Sequence, residues 1–147
     1  MAHYILDTNI LSYLIDINSP MHNRVKVFFS SLKDTDFLST TIITIMELNY
    51  ALQVLSNQNL KHNFSIALKN IESNLNIYSI DLTTTKIFSD LKYMYKKQTG
   101  INSITAKKND LDLIIASISI EKDAILVSND KIFKTISETS KLNHISI

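Results

Sequence analysis

Short apolar runs alternate with longer segments of helical periodicity along the whole chain. The apolar runs predict strands at residues 4–6, 37–39, 77–80 and 125–128, with an edge strand at 145–147. The segments between them repeat apolar positions every three to four residues, which predicts helices at 9–17, 23–33, 42–56, 60–74, 83–97 and 110–121. Gly100 predicts a turn after the helix at 83–97.

This alternation predicts the fold class. Strands separated by helices need crossover connections, and these produce a parallel sheet with helices on both faces. We therefore expect an α/β protein with three α/β/α layers and a central, mostly parallel sheet. No linker, repeat or low-complexity block interrupts the pattern, so we expect one domain over residues 1–147.

Composition excludes several classes of site. The chain has no cysteine, which rules out disulfide scaffolds and thiolate zinc sites, and its single glycine rules out glycine-rich phosphate loops. Its 15 basic and 14 acidic residues give no general attraction to polyanions, so any nucleic-acid contact must be local. No apolar stretch reaches membrane-helix length and no signal peptide is recognisable, so we expect a cytoplasmic protein without membrane contact.

Two aspartates follow predicted strands. Asp7 comes directly after the strand at 4–6, and Asp130 follows the strand at 125–128 with one residue between. Ligands of parallel sheets gather at the carboxyl ends of the strands, which makes both residues candidates for a site. The alternative is that each aspartate only caps the helix that follows it, which is the more common use of either residue alone.

Glu47 interrupts the apolar surface of the helix at 42–56. The polar stripe of this helix consists of Asn49, Gln53 and Ser56, and Glu47 lies roughly 150° away from it, on the side of Ile43, Thr44, Tyr50 and Ala51. An ionised carboxylate on a buried face is costly unless it is paired or bound to a cation. An ion pair with a lysine and a hydrated helix rim are the alternatives to the functional role that we favour.

Two acids begin the helix at 110–121. Asn109 or Asp110 can cap this helix, while Asp112 falls in its first turn. Asp110 and Asp112 point about 200° apart, so they cannot serve one site equally. We expect Asp112 to face the site and Asp110 to act as a cap or an outer helper. Alternatively, both acids only stabilise the helix terminus.

Carboxylates gathered at one sheet edge would repel each other. Two unit charges about 4 Å apart cost on the order of 4 kcal/mol at an effective dielectric constant near 20. Such a cluster must therefore hold protons or a divalent cation, and oxygen ligands favour Mg²⁺ or Mn²⁺ over zinc. A site of this kind suits phosphodiester hydrolysis, because the metal lowers the pKa of a bound water.

Four segments in this order and spacing resemble the PIN-domain ribonucleases, in particular the VapC-type toxins of bacterial type II toxin–antitoxin systems. The segments are Ile5-Leu6-Asp7-Thr8-Asn9, Thr44-Ile45-Met46-Glu47-Leu48, Asp112-Leu113-Ile114-Ile115-Ala116 and Leu126-Val127-Ser128-Asn129-Asp130. The family usually has threonine where Ser128 stands, a change that keeps the hydroxyl.

The resemblance implies a metal-dependent endoribonuclease that acts on RNA, forms a homodimer and is paired with a small antitoxin protein. It also implies an acidic site that binds Mg²⁺ or Mn²⁺ and is formed by Asp7, Glu47, Asp112 and Asp130. The residues that would orient ligands and waters around this site are Thr8, Asn9, Ser128 and Asn129.

Two other functions remain as alternatives. A haloacid-dehalogenase-type phosphatase also places an aspartate after its first strand, but it needs a second aspartate two residues later, where this chain has Asn9. A non-catalytic PIN-like module would bind RNA or protein and use the acids only as helix caps. The four histidines show no ligand spacing, and we assign none of them to chemistry.

Overall fold

A five-stranded sheet forms the middle layer of the structure, a computed structural model that describes residues 1–147. The strands are β1 (His3–Leu6), β2 (Phe37–Thr41), β3 (Asn76–Tyr78), β4 (Ile125–Val127) and β5 (Asn143–Ile145). Their order across the sheet is β3-β2-β1-β4-β5, and every neighbouring pair is parallel.

Eight helices connect and flank these strands. They are α1 (Thr8–Ile15), α2 (His22–Ser31), α3 (Ile42–Val54), α4 (Gln58–Asn74), α5 (Leu82–Thr99), α6 (Ser103–Lys107), α7 (Asp110–Glu121) and α8 (Lys131–Ser137). All predicted helices and strands are present, with ends displaced by at most two residues. The sequence pattern did not predict α6 and α8, because helices of 5 and 7 residues are too short to show a periodic apolar face.

Apolar side chains pack between the sheet and the helices in two clusters. Ile5 and Leu6 are both fully buried, and as consecutive strand residues they point to opposite faces. Ile5 packs in a cluster with residues of α5, α7 and α8, whereas Leu6 packs with residues of α1, α2 and α4. The three-layer α/β/α architecture predicted from the sequence is therefore confirmed.

Local hydrogen bonds fix the ends of the longer helices. The Thr41 side chain accepts a hydrogen bond from the Thr44 N–H at the start of α3, and Asp81 and Thr84 form a reciprocal capping box at the start of α5. Gly100 ends α5 in the left-handed conformation, with φ of 67°. The turn predicted at Gly100 is thus the C-terminal cap of α5. None of the helices has both the length and the apolar character needed to cross a bilayer.

Strand order determines which loops meet. β1 and β4 are neighbours with Leu6 beside Val127, and the Asp7 N–H donates to the Val127 carbonyl at 3.1 Å. β2 lies on the other side of β1 and leads directly into α3. The residues that follow β1, β2 and β4 therefore lie at one edge of the sheet, where parallel α/β folds bind their ligands.

Candidate active site

An open cleft of about 660 Å³ lies at this edge of the sheet. It is lined by Asp7, Thr8, Asn9, Met46, Glu47, Tyr50, Leu111, Asp112 and Asp130. The four acids that the sequence singled out thus share one cleft, although they come from four separate segments of the chain.

Asp7 lies at the base of the cleft and is 5% exposed. Its carboxylate accepts hydrogen bonds from the Ser128 hydroxyl at 2.6 Å and from the Asn9 side-chain amide at 3.0 Å. Burial raises the pKa of Asp7 to about 6, and the charges of Glu47 and Asp130 add to the rise, while the Ser128 hydrogen bond opposes it. Asp7 occupies the N-cap position of α1 but makes no capping bond with its side chain, so capping does not explain it.

Ser128 is the centre of the hydrogen-bond network beneath Asp7. Its fully buried hydroxyl donates to Asp7 and accepts from the Asn9 amide at 3.0 Å and the Asp130 N–H at 3.1 Å. The Asn129 N–H donates to the side-chain oxygen of Asn9 at 3.2 Å. The side chain of Asn129 instead accepts from the Ile147 N–H, so Asn129 reaches the network only through its backbone.

Glu47 lies on the wall of the cleft rather than in the apolar core. The residue is half-buried and accepts a hydrogen bond from the Thr8 hydroxyl. No lysine pairs with it, which excludes the ion pair that the sequence left open. Tyr50, which we expected on a buried face beside Glu47, is 71% exposed, because this side of α3 borders the cleft.

Asp112 and Asp110 have different surroundings. Asp112 lines the cleft, and burial raises its pKa to about 7, with the charges of Asp130, Asp7 and Glu47 adding to the rise. Asp110 forms an ion pair with Lys92 at 2.7 Å and does not line the cleft. The N-cap of α7 is Asn109. Of the two caps that the sequence offered, the structure therefore has Asn109, and Asp110 lies in the first turn and points away from Asp112 toward α5. A role for Asp110 as an outer helper of the site stays a prediction.

Asp130 combines the two roles that the sequence offered as alternatives. Its carboxylate accepts a hydrogen bond from the Ile132 N–H at 3.2 Å and so caps α8. The same side chain also lines the cleft. Asp130 therefore does cap α8. The capping hydrogen bond orients one carboxylate oxygen, and the side chain still lies at the cleft surface.

The cleft is short of positive charge. None of its nine lining residues is a lysine, an arginine or a histidine. Its carboxylate and hydroxyl oxygens are the donors that a hard divalent cation prefers, and the raised pKa values of Asp7 and Asp112 reflect burial and mutual repulsion. In their present conformations, no three acidic or histidine side chains are placed to coordinate one metal ion. Binding of a shared ion therefore requires the acidic side chains to rotate toward the centre of the cleft.

The sequence did not place three apolar residues in the cleft. Met46 and Leu111 each precede a cleft acid directly, and Tyr50 lies three positions after Glu47. Residues three apart on a helix share a face, and the sequence did place Tyr50 on the side of Glu47. The apolar character of this helix face instead suggested burial.

Comparison with protein families matches residues 4–138 to the PIN domain. The chain belongs to the PIN-domain family. All four segments that carried the resemblance lie inside the matched region. A comparison with curated proteins finds no match.

Solved structures agree with this PIN fold. VapBC2 from Rickettsia felis, solved with a DNA fragment from its promoter, is 25% identical with a TM-score of 0.72, covering 99% of this chain and 98% of that one. VapBC-1 from nontypeable Haemophilus influenzae is 23% identical with a TM-score of 0.73, covering 98% and 97%. Mycobacterium tuberculosis VapC20, a Sarcin-Ricin loop cleaving toxin, is 10% identical with a TM-score of 0.65, covering 90% and 93%.

Proposed function

We propose that this PIN-domain protein is a metal-dependent endoribonuclease of the VapC type, the toxin of a toxin–antitoxin pair. The observation that carries the proposal is the meeting of Asp7, Glu47, Asp112 and Asp130 in one cleft that contains no basic residue. Likeness to VapBC complexes over nearly the whole chain supports the toxin assignment. The RNA-cleaving toxin VapC20 has the same fold, which supports RNA as the substrate.

The four carboxylates would hold Mg²⁺ or Mn²⁺. When bound, the ion neutralises charge on the phosphate and lowers the pKa of a water molecule. The protein contributes orientation: Ser128 and Asn9 fix the carboxylate of Asp7, and Thr8 fixes that of Glu47. Because Asp7 and Asp112 have raised pKa values, they must lose protons before they bind a cation, so we expect affinity for the ion to rise with pH through this range.

The likeness to VapBC complexes also supports a small antitoxin as partner of this chain. A homodimer and a cytoplasmic location, where RNA is available, belong to the same proposal. The main alternative is a PIN-like module that binds RNA or protein without cleaving it. The two functions differ in one measurable respect, because only the nuclease needs the acids for chemistry.

The test is cleavage of a fluorogenic RNA in Mg²⁺, in Mn²⁺ and in EDTA. We expect Asp7→Asn, Glu47→Gln and Asp112→Asn each to lower the rate by more than about 100-fold, because each removes a negative ligand from the cleft. Asp90→Asn is the matched control, since Asp90 is exposed on α5 and does not line the cleft. Undiminished cleavage in EDTA or in the three variants contradicts the proposal, and binding of RNA without cleavage favours the non-catalytic module.

A further inference from the structure

An apolar patch lies beside the carboxylates in the cleft. It consists of Met46, Tyr50 and Leu111, which we call the apolar shelf. The three side chains are 50%, 71% and 38% exposed, respectively. Exposed apolar side chains that lie together in a cleft and are rimmed by polar groups are typical of a binding surface, whereas single exposed ones are not. The proposed chemistry uses the carboxylates only and gives the shelf no role.

The shelf is close to the acids because of helix geometry. Tyr50 lies three residues after Glu47, which corresponds to a rise of about 4.5 Å along α3 and to neighbouring positions on one helix face. Met46 is adjacent to Tyr50 on that face, four residues before it. Leu111 precedes Asp112 and brings the shelf to the facing wall formed by α7. A group attached to a phosphate at the carboxylates is therefore within reach of the Tyr50 ring.

The charge of the cleft limits which contacts can hold RNA there. No lysine or arginine lines the cleft, so its side chains offer the phosphate backbone no direct attraction. Stacking of a base on an aromatic ring does not depend on net charge, and every base has a face that can stack. A base inside a duplex is already covered on both faces by its neighbours, so only an unpaired base can use an exposed tyrosine in this way.

We infer that the apolar shelf is a nucleobase subsite, in which Tyr50 stacks on an unpaired base of the RNA whose phosphate lies at the carboxylates. Met46 and Leu111 contact the edges of that base. The inference rests on the proposed ribonuclease function and adds to it the residues of this chain that receive a base beside the phosphate. The competing occupant is a second copy of the chain, because Ile42 and Val54 continue the exposed row along α3.

Tryptophan fluorescence tests the stacking directly, because the chain has no tryptophan. Tyr50→Trp places one fluorophore on the shelf, in an Asp7→Asn background that stops turnover. We expect a single-stranded RNA octamer to quench this fluorescence, and an abasic octamer or a blunt duplex to leave it unchanged. Tyr93→Trp in the same background is the matched control, since Tyr93 is 67% exposed on α5 and lies outside the cleft. Equal quenching by abasic RNA, equal quenching of the control or no quenching overturns the inference.

Kinetics of RNA cleavage provide a second, independent readout. We expect Tyr50→Ala to raise KM by about 5- to 150-fold with little change in kcat, and Tyr50→Phe to behave like the unsubstituted protein because it keeps the ring. Tyr50→Leu, which keeps apolar bulk without the ring, should resemble Tyr50→Ala. An unchanged KM in Tyr50→Ala overturns the subsite.

Two controls separate the possible failures. If the unsubstituted protein cleaves no RNA with Mg²⁺ or Mn²⁺, the proposed function itself fails; if it cleaves and Tyr50→Ala has the same KM, only the subsite fails. Sedimentation tests the second copy. A dimer that Tyr50→Ala dissociates, together with unchanged RNA binding by that variant, assigns the shelf to a dimer interface and overturns the inference.

Discussion

Asp7 is a buried carboxylate with no basic partner, and its environment explains its behaviour. Ser128 and Asn9 donate hydrogen bonds to it, which lowers the cost of burial but does not remove it. Burial, together with the nearby charges of Glu47 and Asp130, leaves the pKa of Asp7 at about 6. A group with this pKa responds to both pH and cations near neutrality.

The raised pKa values predict that the metal-free protein loses stability as pH rises. Asp7 and Asp112 titrate at about 6 and about 7 in the folded chain, and near 3.9 when unfolded. Between about pH 4 and 7 the folded state therefore binds more protons, so the free energy of unfolding falls with increasing pH. In EDTA we expect the free energy of unfolding, measured by urea denaturation, to decrease by an amount on the order of 1–3 kcal/mol between pH 5 and 7.5. The contribution of Asp112 is smaller than its pKa alone would give, because the side chain is partly exposed and water screens its charge.

Asp7→Asn isolates this effect, because asparagine keeps the shape of the side chain and cannot ionise. The pH dependence of unfolding should be shallower in Asp7→Asn than in the unsubstituted protein, whereas Asp90→Asn should leave it unchanged. Parallel curves for Asp7→Asn and the unsubstituted protein would show that Asp7 does not titrate in this range.

At the scale of elements, the first turn of α7 separates two neighbouring acids. Asp112 faces the cleft, whereas Asp110 pairs with Lys92 on α5. We expect Asp112→Asn to abolish RNA cleavage and Asp110→Asn to keep it within about twofold, with a loss of stability below about 1 kcal/mol because the ion pair is partly exposed. Cleavage rates and urea unfolding of the two variants provide the measurement, and equal losses of cleavage would mean that both acids serve the site.

The helices show which features a sequence pattern can predict. α4 and α5 have clear side-chain caps, and their predicted bounds lie within two residues of the structure. α8 is too short to show a period, although Asp130 at its start was noticed as a possible cap. α3 is apolar on most sides, so its pattern could not distinguish the face against the core from the face along the cleft, and Tyr50 was placed wrongly.

At the scale of the whole molecule, strand order brings the acids together. β1 lies between β2 and β4, so the segments after these three strands meet although 123 positions separate Asp7 from Asp130 (130 minus 7). α7 adds Asp112 through its packing against α3 and α5. The fold thus concentrates negative charge at one sheet edge in a chain whose net charge is only +1.

This concentration of charge predicts stabilisation by divalent cations. An ion that binds only the folded state at 100 times its dissociation constant adds about 2.7 kcal/mol, which corresponds to a rise of about 5 to 10 °C in melting temperature for a chain of this size. We expect Mg²⁺ or Mn²⁺ to produce such a rise at pH 7.5 and a smaller one at pH 5, where protons compete for Asp7 and Asp112. Na⁺ at equal ionic strength and the Asp7→Asn variant are the controls. Equal melting temperatures in Mg²⁺ and in Na⁺ would favour the alternative in which the acids only cap helices.

The sequence by itself determined the five strands, six of the eight helices, the parallel sheet and the four candidate acids, because periodicity and strand-end positions are local properties of the chain. Only the tertiary structure decided that these acids share one cleft and that Tyr50 and Met46 line it. It also decided that Asp110 lies outside the cleft and pairs with Lys92. The reason is physical: which surfaces stay open depends on how helices pack across the sheet, and that packing joins residues too distant in sequence for any local pattern to relate.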